Sequence, residues 1–198
     1  MDGGHAPMPA HRALRERTRD AHEATEATEG MRRLMDGRMD EAGYRQLLAA
    51  QLGLFTHWER ARAGWLDRIQ PRWAYTSRLA PLATDVGDAP TPGPLGAAAW
   101  TTDVPSGDDE ACYWGELYVI EGSTLGGRVI VGHLRARFPL HAHRYYALGE
   151  DTPSRWRHFQ SVLDAALVDE ETQRLAVEGA RRMFARFRQA LEDPAAHA

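Results

Sequence analysis

The chain contains no lysine: all 24 basic residues among its 198 are arginine. An anion site here must therefore rely chiefly on guanidinium groups, which suit bidentate contacts to carboxylates. Cys112 is the single cysteine. That excludes an intrachain disulfide and a multi-cysteine zinc or iron–sulfur site, and it fits a reducing compartment. No stretch approaches the roughly 20 apolar residues of a membrane span. Residues 1–12 lack the apolar run of a signal peptide, so the expected location is the cytoplasm, with no membrane partner. A net charge of −4 gives no general reason to expect nucleic acid as a partner either. Convincing β-alternation is missing throughout. What remains is an ordinary globular composition, 43% hydrophobic and 26% charged, long enough for one well-buried core. We expect one all-α domain over residues 10–192, with flexible ends at 1–9 and 193–198.

Helix signals are clear in places. Residues 10–29 are rich in Ala, Arg and Glu, all good helix formers. Only Leu14 and a few alanines are available to face a core, yet the stretch carries His22. Two readings stay open: a solvated helix, or a helix covering a ligand. The spacing of Tyr44, Leu47, Leu48, Leu52, Phe55, Trp58, Trp65, Leu66 and Ile69 predicts an amphipathic helix over 40–69, capped by Asp40 and ended by Pro71. His57 within it reads as structural. A short helix is expected over 75–83, then a loop over 85–109 marked by Pro90, Pro92, Pro94 and Pro105. Helices are expected over 108–138, capped by Asp108 or Asp109, and over 154–167 and 170–191. His141 and His143 read as exposed loop histidines.

The segment from Tyr118 to Ile130 is the strangest part of the chain. It places Gly122, Gly126 and Gly127 inside an apolar stretch of helical period. Each mid-helix glycine costs roughly 1 kcal/mol relative to alanine, so something should compensate. Gly122 and Gly126 are four apart and share a face, leaving a bare strip for a neighbouring helix or a flat ligand. The Gly126-Gly127 pair also permits a kink. A phosphate loop is a poor reading, because the run matches neither glycine-rich phosphate motif and has no lysine to serve it.

The run Tyr118-Val-Ile-Glu-Gly-Ser-Thr-Leu-Gly-Gly127 resembles the distal-helix motif of bacterial haem oxygenases, in particular the branch associated with bacteriophytochromes. Leu14, Arg15, Thr18, His22 and Glu26 resemble that family's proximal helix, and Ala176–Leu191 its closing helix. The two motifs stand in family order and together span most of residues 10–192. The resemblance implies a helical bundle with haem between the proximal and distal helices. It implies conversion of haem to biliverdin, CO and ferrous iron with O₂ and electrons from an external reductase, ferredoxin or similar donor. A bacteriophytochrome is the implied receiver of the bilin; iron recovery from haem, or a haem carrier or sensor of the same fold, are the alternatives.

On this resemblance His22 is the axial ligand of the iron, and Glu26, one turn on, steadies its other ring nitrogen. Gly122, Ser123, Gly126 and Gly127 form the distal wall. Ser123 stands where animal-type members carry an aspartate that orders distal water, so oxygen control is expected from backbone and water near Ser123. Glu121 is the nearest acid, on a different face. Arg15, seven before His22, and Arg155 or Arg157 are expected at the haem propionates, with Tyr118 as a hydrogen-bonding partner. Arg181, Arg182 and Arg186 are expected as surface charges or a docking patch for an acidic redox partner, and Phe184 and Phe187 as core.

Overall fold

The structure, a computed structural model, describes residues 8–87, 109–148 and 152–192. Most of the expected loop over 85–109 lies outside these residues, as does the C-terminal end at 193–198. Among the described residues the regular elements are all helices: α1 (Ala10–Arg17), α2 (Arg19–Glu26), α3 (Glu29–Met35), α4 (Glu41–Ile69), α5 (Leu79–Val86), α6 (Glu110–Arg137), α7 (Arg144–Ala147), α8 (Thr152–Ala166) and α9 (Glu170–Leu191). None is long and apolar enough to cross a membrane.

The expected helix over 10–29 is two helices. Thr18 breaks them at φ −120°, its hydroxyl donating to the Leu14 carbonyl at 2.7 Å. A threonine bonded back in this way competes with the helical ladder and bends it. Met8, from the expected flexible start, is tied down instead: its carbonyl accepts from Gln173 Nε2. α5 begins at Leu79 and reaches Val86, later than expected, because Pro81 is tolerated in a first turn whose N–H groups have no helical partner. α4 keeps its expected limits. Asp40 Oδ1 accepts from the Gly43 amide at 2.8 Å, satisfying one free N–H of the first turn. α9 opens on a capping box between Asp169 and Thr172.

The core lies where α4, α6 and α9 meet, with Tyr44, Leu48, Phe55, Trp58, Trp114 and Leu117 fully buried. Side chains of this size contribute about 1.5–3 kcal/mol each when fully buried. α6 and α9 form the most extensive helix–helix interface, and glycines permit it. A Cβ on Gly115 would stand 1.8 Å from the Ala176 carbonyl oxygen, and one on Gly179 would stand 2.0 Å from that of Cys112. Between the same helices Glu116 is wholly buried, accepting from Trp58 Nε1 at 2.9 Å and from Arg62 Nε and Nη2 at 2.9 and 3.1 Å. Arg186 adds a second cation at 3.8 Å. A buried carboxylate needs such pairing. Arg186 is thus an interior charge, and Arg181 is bound to Asp20 at 3.0 Å; with Arg182 half-buried, the three arginines do not form one exposed patch.

Candidate functional site

A cavity of about 950 Å³ opens between α2 on one side and α6 on the other, in the size range of small-molecule sites. α2 buries none of its own residues. Its inward face lines the cavity with His22, Thr25 and Glu26, while α1 adds His11 and Arg15. The His22 ring meets Phe184 edge-on at 5.7 Å. Its Nδ1 lies 3.7 Å from Glu26 Oε2, an ion-pair distance beyond a hydrogen bond. Nε2 has no protein partner among the described residues. Phe184 and Phe187 are buried and also line the cavity.

The opposite wall is α6. It is helical without interruption through Gly126 and Gly127. The three glycines differ in what they face. A Cβ on Gly122 would touch the Trp156 ring at 3.4 Å, and one on Gly127 would press on the Tyr146 carbonyl oxygen at 2.9 Å. A Cβ on Gly126 would meet nothing within 4 Å. Gly127 serves close packing, and Gly126 leaves open space. The Ser123 hydroxyl donates to the Ile120 carbonyl at 2.8 Å, so its proton is held by its own helix.

The deeper polar groups come from residues the sequence did not single out. Arg78 lines the cavity and is 3% exposed. Its Nη1 donates to the Thr76 carbonyl. Its Nη2 is buried without a hydrogen-bond acceptor, 3.4 Å from Glu121 Oε1. Glu121 is itself buried and accepts from Trp73 Nε1 at 3.2 Å; it anchors Arg78 and does not line the cavity. Gln51 donates to the Tyr146 hydroxyl at 2.9 Å, and Tyr145 and Tyr146 complete this corner. Burial pushes the Tyr146 phenol up to about 12, against the lowering effect of the Gln51 hydrogen bond. Gln51 was the one visible signal: a polar residue inside the apolar stripe of α4. Arg78 stands at the N-cap of α5, and Tyr145 and Tyr146 sit in the four-residue α7, with no motif.

At the α1 end stand His11, Arg15, Arg19, Tyr118, Trp156 and Gln160. His11 is clamped to α8: its amide and Nδ1 meet the two Asp164 carboxylate oxygens at 2.9 and 2.7 Å. Burial raises the Tyr118 phenol, with the Arg15 charge opposing. Arg157 is not brought to the cavity. It is exposed on α8, one residue past Trp156, which does line the wall. Arg155 turns away as well, donating to the Ala74 carbonyl at 2.9 Å and lying over the Trp73 ring at 4.3 Å. His143 is not an exposed loop residue but fully buried, and His141 is largely covered at 17% exposure. His57 is off the cavity, its imidazole held below its usual range by burial and by Arg186, Arg60 and Arg62. Among the described residues no cluster of three or more His, Cys, Asp or Glu is placed to hold a metal ion.

The fold is shared with solved structures. Heme oxygenase-2 from Synechocystis sp. PCC 6803, solved in complex with heme and NO, superposes with a TM-score of 0.78 at 22% identity, covering 94% of this chain and 85% of that one. Heme oxygenase-1 from the same cyanobacterium, solved in complex with heme, gives 0.76 at 15% identity, covering 93% and 91%. In sequence, a protein from Xanthomonas campestris pv. campestris (strain 8004) named "Heme oxygenase" is 37% identical over 160 residues, 79% of this chain and 93% of the relative. The family model described as "Heme oxygenase" matches residues 8–82 and 101–193. The chain belongs to the haem oxygenase family.

Proposed function

We propose that this haem oxygenase takes haem as substrate into the cavity between α2 and α6 and opens it to biliverdin, CO and ferrous iron, using O₂ and electrons from an external reductase, ferredoxin or similar donor. The observation that carries the reading is the opposition of His22 to Gly126 across one cavity: a ring nitrogen with no protein partner on one wall, and side-chain-free space on the other. The donor set fits the substrate. A neutral imidazole suits an iron that changes oxidation state. His11, Arg15, Arg19 and Tyr118 offer cationic and hydroxyl groups to carboxylates at one end of the cavity.

Each residue then has a physical task. His22 binds through Nε2, and Glu26, whose carboxylate lies 3.7 Å from Nδ1, reaches that nitrogen through a bridging water. Gly126 leaves room next to the α6 backbone while excluding a bulky side chain. Arg78, paired to Glu121 through Nη2, places a guanidinium charge in the cavity wall, and Gln51 with Tyr146 extends that polar edge. These groups hold distal water, with Ser123 in a lesser part because its proton is already committed.

One equivalent of haem, O₂ and a reductant should give loss of the Soret band and a biliverdin peak on chromatography. A haem complex that returns to the ferric state without bilin makes the protein a carrier or sensor. Absence of stoichiometric haem binding refutes the assignment of the cavity. We further propose that the product supplies a bacteriophytochrome within the cytoplasm, which rests on the likeness of the Glu121–Gly127 motif; covalent uptake of the released bilin by an apo-bacteriophytochrome tests it.

Gly126→Leu is expected to leave haem binding through His22 intact while lowering turnover at least about 10-fold, since about 1.4 kcal/mol of lost access suffices. Turnover equal to wild type would show that the open space beside Gly126 has no role.

A further inference from the structure

His143 stands outside the cavity, yet its surroundings are unusual. It is fully buried and is the non-glycine residue with positive φ among those described, at φ 51°. That left-handed conformation is unfavourable for a side chain with Cβ. Something must hold it there, and the imidazole does so at both nitrogens. The Phe138 carbonyl can only accept, so Nε2 carries the proton and donates to it at 2.9 Å. Nδ1 then accepts from the Tyr44 hydroxyl, also at 2.9 Å. Tyr44 stacks flat on Phe138, 5.2 Å between centroids. The side chain thus ties α4 to both ends of the turn between α6 and α7.

Immediately beyond this turn the chain forms the corner of the cavity. The Arg144 and Tyr145 amides donate to the two oxygens of Asp85 on α5 at 2.9 and 2.8 Å. Tyr145 and Tyr146 then enter the wall. Tyr146 presents its carbonyl to Gly127 and its hydroxyl to Gln51. α7 has only four residues, too few to keep its own place. Its place is set by the turn before it together with Asp85 and Gln51.

We infer that His143 is a positioning residue: by locking the α6–α7 turn in its left-handed conformation it places Tyr145 and Tyr146 in the wall opposite His22, and through them Gln51 and the space at Gly126. The inference rests on the reading of the cavity as the haem site. Loss of the imidazole would leave a buried hydroxyl and a buried carbonyl without partners, and the turn would relax.

Two readouts test it. In the protein without haem, amide hydrogen exchange at Arg144 and Tyr145 should rise about 10-fold or more in His143→Ala, as local opening becomes easier. His143→Gln, whose amide offers one acceptor and one donor, should recover most of the protection. Tyr44→Phe, which removes one hydroxyl and little volume, should move exchange in the same direction and keeps the test open if His143→Ala does not fold. In the ferrous carbonyl complex, the C–O stretch, which reads polar groups near the bound gas, should shift in His143→Ala and return in His143→Gln. Leu163→Ala, a buried α8 change off the cavity, should lower the Tm without moving either readout. Wild-type exchange in both His143→Ala and Tyr44→Phe would overturn the inference. So would an unmoved C–O stretch despite faster exchange, or a shift of equal size in Leu163→Ala. If no form binds haem, the function reading fails, while the exchange data still decide whether His143 locks the turn.

Discussion

Gly115→Ala should lower the Tm by about 10 °C or abolish folding. Its Cβ would lie 1.8 Å from the Ala176 carbonyl oxygen, a contact with backbone that no rotamer change relieves. α6 and α9 must separate, and they carry Glu116, Arg186 and much of the core between them. Overpacking by a single methyl costs about 1–3 kcal/mol where side chains can yield. Here they cannot, so about 3 kcal/mol or more is expected, and roughly 2–4 °C per kcal/mol for a chain of this size gives the Tm shift. Gly132→Ala is the control. It lies in the same helix, and its Cβ would meet nothing within 4 Å, so it should raise stability by about 0.5–1 kcal/mol through helix propensity. Calorimetry on both variants separates the two effects; a wild-type Tm for Gly115→Ala would contradict the close approach of the helices.

His22→Ala has the largest effect expected on activity. Removing the imidazole should cost at least about 100-fold in turnover, equivalent to about 2.7 kcal/mol, and should change the haem spectrum. The protein without haem should keep its stability to within about 0.5 kcal/mol, as for exposed sites in general, because His22 is exposed on a helix that buries none of its own residues. Added imidazole should restore the spectrum. An unchanged haem spectrum in the variant would refute the ligand assignment.

Much of the scaffold was legible because its signals are local. Asp40, the three-and-four spacing of apolar residues and Pro71 define α4 within one window. The candidate haem site rests on a different kind of signal. Neither His22 nor the glycines suggest it alone; their order along the chain does, and the structure brings both to one cavity. What stayed hidden depends on partners far away in sequence. The burial of His143 needs Tyr44, and the aim of Arg78 needs Glu121. Arg157 shows how narrow the margin is: a helix turns about 100° per residue, so Arg157 faces solvent while Trp156 beside it forms wall. Thr18 could not be read as a break, since its bond to Leu14 is a choice between helix and back-bonding that local propensity leaves even.

The helix that presents His22 buries none of its own residues and meets α9 through Arg181 at Asp20, the Thr25 hydroxyl at the Phe184 carbonyl and the edge contact of His22 with Phe184. Little apolar surface therefore backs its docking. Whatever fills the cavity must supply the missing apolar face, and the cost of ordering α2 is subtracted from the affinity of each occupant. On the proposed function, retention of substrate and departure of product would both draw on the docking of α2, and an exposed residue such as Asp20 would bear on it without touching either molecule.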